Sequence, residues 1–147
     1  MRKYYLFIIR EDYYRKYRKK PQVLYKALYY LSKTNEYDLN HGFYLYDKMC
    51  NTFSVKLLNN YIKNKYSYQM ITNKIIHLNS MIENTLIQIN YSCVIILTDI
   101  NLPEILKTLY IYNKRIFVCD FQNQDYFWLK DQISQFYPKK TYTELGD

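Results

Sequence analysis

Asp99 and Asp120 each close an apolar run, Cys93-Val-Ile-Ile-Leu-Thr98 and Arg115-Ile-Phe-Val-Cys-Asp120. If both runs are strands, the two carboxylates can meet at a sheet edge and hold a divalent ion through oxygen ligands, with Asp125 as a possible third. The commoner use of an acid after a strand is to make a turn or cap a helix. No further ligand and no lysine stands at a metallonuclease spacing, so no metal is expected there. Glycine occurs only at 42 and 146, which leaves neither a P-loop nor a dinucleotide-binding fingerprint. His41 and His77 lack metal-ligand spacing, and no nucleophile-elbow or zinc-protease motif occurs. Cys50, Cys93 and Cys119 are widely spaced, without a Cys-x-x-Cys pair, so neither a disulfide framework nor zinc is indicated. Cys93 and Cys119 lie in apolar runs and are expected as core thiols. A non-enzyme without a cofactor is the resulting expectation.

The most distinctive stretch is Tyr13-Tyr-Arg-Lys-Tyr-Arg-Lys-Lys20. As a helix it sets Tyr13 and Tyr17 one turn apart on one face, with Arg15, Lys16 and Lys19 around the others. Three readings remain open. A partner protein takes the tyrosines as amphipathic anchors, and the basic rim speeds encounter with an acidic surface. Alternatively, single-stranded nucleic acid stacks on the rings while lysines follow its phosphates. In the plainest reading one tyrosine packs on the core and the charges are solvated.

These residues must be carried by ordered elements. Lys3 to Arg10 is apolar, β-branched and aromatic, which predicts a largely buried strand. Glu11 and Asp12 suit a helix amino terminus, and a short helix is expected from Asp12 to Arg18, broken near Lys19-Lys20 because Pro21 disfavours helical geometry before it. Pro21 can open a second helix in which Leu24, Leu28 and Leu31 form one stripe. Ser32 to Gly42 reads as a loop, Phe43 to Met49 as a strand, Phe53 to Lys63 as a helix and Ser67 to Leu78 as a strand. Thr85 to Ile89 and Cys93 to Thr98 flank a polar break, as in a hairpin. Asn101-Leu-Pro-Glu104 resembles a capped helix start, and that helix would show Leu102, Ile105, Leu106 and Leu109 on one face. Arg115 to Asp120 and Tyr126 to Leu129 close the chain as two strands, with Tyr126 and Trp128 on one face and Phe127 and Leu129 on the other.

A chain of 147 residues suits one domain. The expected fold is α/β (α+β), a mixed β-sheet with helices packed on its faces, spanning 1–147 with a flexible tail from about 138. Hydrophobic residues reach 49%, but 20 of them are tyrosines with a polar tip. No run approaches a membrane span and no signal peptide is visible, so a cytoplasmic protein without a membrane partner is expected. The net charge is +8, and nine of 21 basic residues fall between Arg2 and Lys26, which permits an acidic protein or nucleic acid as partner.

Tyr4-Tyr-Leu-Phe-Ile-Ile-Arg-Glu-Asp-Tyr13, then Tyr17, then the helix with Leu24, Tyr25 and Leu28, resembles the amino-terminal signature of the sporulation inhibitor of replication family, SirA. Phe117-Val-Cys-Asp-Phe-Gln-Asn-Gln-Asp-Tyr-Phe-Trp-Leu129 is similar to that family's closing strand pair, with its Asp-Phe and later Tyr-x-Trp-Leu. The resemblance holds at both ends and is loose from about Ser32 to Glu83. It implies a single-domain inhibitor, made as sporulation begins, that binds the amino-terminal domain of the replication initiator DnaA and keeps it from the chromosomal origin. The family's two contact aromatics fall on Tyr13 and Tyr17, with Tyr13 in place of a familiar phenylalanine. Arg18 is a rim candidate beside them. The sequence departs from the family at Lys19 and Phe127, where glycines are expected, and at Lys130-Asp131, where Asn-Pro is. A small nucleic-acid-binding module built on the same segment is the alternative, and neither reading calls for a small-molecule substrate.

Overall fold

The computed structural model describes residues 1–34, 46–65, 69–72, 74–79, 83–90 and 92–136. Its centre is β1 (Arg2–Ile9), which pairs antiparallel with β6 (Val94–Thr98) on one side and β7 (Ile116–Asp120) on the other. Four consecutive buried residues, Leu6 to Ile9, and five in β7 are what two strands covered on both faces require. Beyond β6 lie β5 (Asn84–Ile89), β4 (Ile75–Asn79) and β3 (Gln69–Thr72); beyond β7 lies β8 (Asp125–Trp128). A two-residue strand, β2 (Cys50–Asn51), also pairs with β1. In β4, β5 and β6 burial alternates, so among the described residues these strands are buried on one face.

That common face is covered by α3 (Val55–Lys63), α4 (Ile105–Tyr112) and α5 (Leu129–Phe136). Their Leu58, Ile62, Leu106, Leu109 and Ile133 pack on Leu6, Ile8, Ile96 and Val118. The other face of β1, β7 and β8 is covered by α2 (Pro21–Thr34), whose Leu24, Leu28 and Leu31 bury against Phe7, Ile9, Phe117 and Trp128. The short α1 (Glu11–Tyr17) lies at the rim of this second core. The fold is therefore α+β in one domain, with one sheet between two helical layers.

The first strand, the α1/α2 break before Pro21, the leucine stripe and the β5/β6 hairpin follow the sequence pattern, with Ile89 opposite Val94. Elsewhere tertiary context decided. The sheet, expected to be mixed, is antiparallel at every described pairing. Helix α2 runs to Thr34, past the expected loop start at Ser32, whose Oγ bonds Tyr29 O at 2.6 Å; the rest of that loop is outside the described residues. Residues 46–49 are helical rather than extended, because this turn places Tyr46 and Met49 together in the second core and offers Asp47 O and Met49 O to Arg10. The single strand expected from Ser67 to Leu78 is the β3/β4 hairpin, in which Met70 pairs with Ile76.

The helix expected from Asn101 begins at Ile105. Asn101 does not cap it: its side chain accepts from Arg2 Nη1 at 3.3 Å and its carbonyl accepts from the Tyr4 hydroxyl, so both polar groups serve the sheet end instead. Leu102 still packs on the core from outside the helix. Leu129 starts α5 instead of ending a strand, although it faces the core side expected for it. The tail from 138 lies outside the described residues.

Candidate functional site

Helix α1 has seven residues, none buried, and no side-chain cap at its start. A helix this short is marginal by itself. Glu11 and Asp12 in the first turn and Arg15 and Lys16 in the last complement its dipole, and Arg15 pairs with Glu11 four residues earlier. Its attachment to the fold comes from one side. The Tyr14 ring meets the Trp128 ring edge-on at 5.0 Å, and Trp128 Nε1 donates to Arg18 O at 2.9 Å. Trp128 itself packs at 4.9 Å on Phe117 of β7. The end of α1 is thus pegged to the second core through an aromatic stack and one hydrogen bond.

On another face of the same helix, Tyr13 and Tyr17 are partly exposed, with ring centroids 5.9 Å apart. Both rings also touch the edge of the second core, so their positions are constrained without being occluded. Lys16 Nζ lies 5.4 Å from the Tyr17 centroid, in cation–π range. The Arg18 side chain is exposed, while its carbonyl receives the Trp128 bond. The structure therefore brings the expected pair Tyr13 and Tyr17 together at one surface with Arg18 just beyond them. Such an arrangement offers two adjacent amphipathic rings in a basic surround, the type of group that anchors a protein interface.

Sequence reasoning missed Tyr14 as the support of this helix and the aromatic belt beside it. Tyr25 stacks on Tyr126 at 4.8 Å and meets Phe121 at 5.8 Å, and Phe121 meets Tyr5 at 5.0 Å and Tyr29 at 5.8 Å. Tyr29 is 39% exposed, so the belt reaches the surface. Tyr25 and Tyr29 stand four apart on α2, a spacing that could have marked the belt's helical half. Its other half comes from β1 and the β7/β8 turn, which only the fold brings near.

The paired-acid site does not form. Asp99 is exposed, and its Oδ1 accepts from Asn84 N at 3.0 Å, closing the end of the β5/β6 ladder. Asp120 is 1% exposed and bound to Arg2, whose Nε and Nη2 lie 3.1 and 2.8 Å from Oδ2. Asn123 adds its backbone N–H to Oδ1 at 3.1 Å and its side-chain amide to Oδ2 at 2.8 Å. Asp125 lies 3.5 Å from Arg2 Nη2. Burial works to raise the Asp120 pKa, but the bonds from Asn123 and Arg2 outweigh it and hold the carboxyl below its ordinary value. Asp120 and Asp125 neutralise Arg2 instead of gathering a metal, Asp99 stands apart from them, and no group of three His, Cys, Asp or Glu among the described residues could hold a metal.

Cys119 is buried as expected; Cys93 is only partly so; Cys50 is buried as well. Burial raises all three thiols, Cys93 to about 11, which leaves them protonated and poor nucleophiles near neutrality. His77 shares a hydrogen bond with Asn84 across β4 and β5. Among the described residues no helix is long and apolar enough to cross a membrane. No family model matches the chain, and no curated protein matches it.

Proposed function

We propose that this chain is a cytoplasmic protein-binding inhibitor of replication initiation, acting at the onset of sporulation as the resemblance to the SirA family implies. It has no catalytic activity, cofactor or small-molecule substrate. Its partner is the amino-terminal domain of the initiator DnaA, which it takes through Tyr13 and Tyr17 as adjacent anchors and Arg18 at the rim. The observation that carries this reading is the pair of half-exposed rings 5.9 Å apart on a helix pegged from its other side by Tyr14 and Trp128. Pre-organised anchors lower the entropic cost of docking. Inhibition then needs only that free and origin-competent initiator differ in affinity for this protein.

Nucleic acid at the same tyrosines is less favoured, since Lys16 sits over the Tyr17 ring where a base would stack. Titration of purified initiator amino-terminal domain separates the readings. Tyr13→Ala and Tyr17→Ala should each weaken binding by roughly 2 kcal/mol or more, about thirtyfold, while Tyr13→Phe, which keeps the ring, stays near wild type. Their melting temperatures should barely move, because α1 has no buried residue. With the rings in contact, the double variant should lose less than the sum of the single losses. Tight binding that survives both truncations would overturn the assignment, and a loss as large for Lys16→Ala with a steep salt dependence would favour nucleic acid.

A further inference from the structure

The far side of α1 from Tyr13 and Tyr17 borders an open groove of about 630 Å³ that also reaches the α4/β7 turn and the start of α5. Its cations are Arg15, Arg18, Lys114, Arg115 and Lys130, against a single acid, Glu11, which is already paired with Arg15. An adjoining groove shares Arg15 and Arg115 and adds Arg10, with Asp12 as its further acid. Six cations and two acids thus line these two neighbouring grooves. Three come from the amino-terminal basic stretch, Arg10 to Arg18, and three from Lys114 to Lys130, so the local charge run supplies only half of the site.

Two of the arginines are fixed by the fold. Arg115 Nε donates to Ile9 O at 3.0 Å, and Arg10 Nε donates to Asp47 O at 2.6 Å. A guanidinium held at Nε keeps its terminal nitrogens in a set orientation, the fork that suits a phosphate or carboxylate. The groove's aromatic rings are already engaged, Tyr14 edge-on to Trp128 and Tyr110 beneath Lys114 at 4.0 Å from its centroid. It therefore offers positive charge without an open aromatic anchor. A protein interface of high affinity concentrates its energy in such anchors, whereas a phosphodiester backbone is held by cations and polar groups alone.

We infer that this groove is a second binding site, separate from the Tyr13 and Tyr17 surface, and that it takes the phosphodiester backbone of nucleic acid without reading its sequence. The inference stands independently of the initiator reading. It fits the overall charge of +8, but it is a claim about place. Arg18 touches both surfaces, so the test uses Lys114 and Lys130, both exposed.

Fluorescence anisotropy with a short mixed-sequence duplex, its separate single strand and poly-glutamate tests the claim on the full chain. The oligonucleotides should bind at low salt and weaken linearly on a log–log plot as salt rises, and the tighter of the two forms names the strand state. Lys114→Gln with Lys130→Gln should weaken binding about tenfold and lower the salt slope by about 0.9 per lysine on the duplex or about 0.7 on the single strand. Lys56→Gln with Lys63→Gln removes the same charge from the exposed side of α3, outside the groove, and should change little. Thermal melting confirms that each pair is folded. No oligonucleotide binding at low salt, an equal loss from the α3 pair, or poly-glutamate bound as tightly as the oligonucleotides would each overturn the inference.

Discussion

Trp128→Ala should destabilise the protein by roughly 3–5 kcal/mol and lower its melting temperature by roughly 10–20 °C. The ring is 6% exposed and packs on Phe117 at 4.9 Å and on Tyr14 at 5.0 Å. Its removal leaves a cavity in the second core beside α1 and strands Arg18 O without its donor. Against a total of about 5–15 kcal/mol for a typical domain, this loss alone can unfold part of the population. Trp128→Phe separates the two contributions. It keeps a ring in the core but deletes the bond to Arg18 O, so it should cost less in melting while loosening the last turn of α1. If Tyr13 and Tyr17 depend on that peg, initiator binding should weaken in the folded Trp128→Phe protein. Melting of Trp128→Ala within a degree or two of wild type would show that the ring contributes little to the core.

Asp120→Ala should be the second large loss, roughly 2–4 kcal/mol at neutral pH. Removing one member of a buried pair costs about 3–5 kcal/mol, and the lower value here reflects Arg2, whose side chain is 28% exposed and keeps Asp125 3.5 Å away. Asp120→Asn keeps the shape and separates charge from packing through pH. The folded pKa of Asp120 lies below its ordinary value of 3.8, so the ionised form is favoured by folding. Its contribution is therefore complete above that value and is lost as pH falls through the lower folded value. Urea unfolding of wild type should show a fall in stability on that acid side that Asp120→Asn lacks. Parallel acid limbs in the two proteins would remove the carboxylate from the account. Because this residue holds the sheet end together, Asp99→Asn alone is the clean test of the discarded metal site, and it should leave partner binding unchanged.

Local chemistry made several features legible. Pro21 cannot follow a helical Lys20 comfortably and can itself begin a helix, so the break between α1 and α2 was readable from two residues. Leu24, Leu28 and Leu31 declared their face by spacing alone, and alternation put Tyr126 and Trp128 on the face opposite Phe127 and Leu129; the fold sends the two pairs to different cores. Tyr13 and Tyr17 could be set side by side for the same reason, since one helical turn is a local fact. The run from Lys3 to Arg10 predicted a largely buried strand because a central strand needs apolar residues on both faces.

Other features depend on pairings between residues from 37 to more than a hundred positions apart, which no local pattern encodes. Asn101 looked like a helix cap, but Arg2 and Tyr4 reach it first across the sheet. Phe43 to Met49 looked extended, yet 46–49 coils where the second core has room for Tyr46 and Met49. Asp120 was a candidate metal ligand until β1 carried Arg2 beside it. The basic groove, too, exists only because the β1/β7 pairing brings Arg10 near Arg115 and because α5 starts beside Arg18. The residue types and local spacings thus determined which side chains were available and which neighbours shared a face. The tertiary structure decided which of them became partners, because a buried charge or polar group must be satisfied by whatever the packed sheet places within reach.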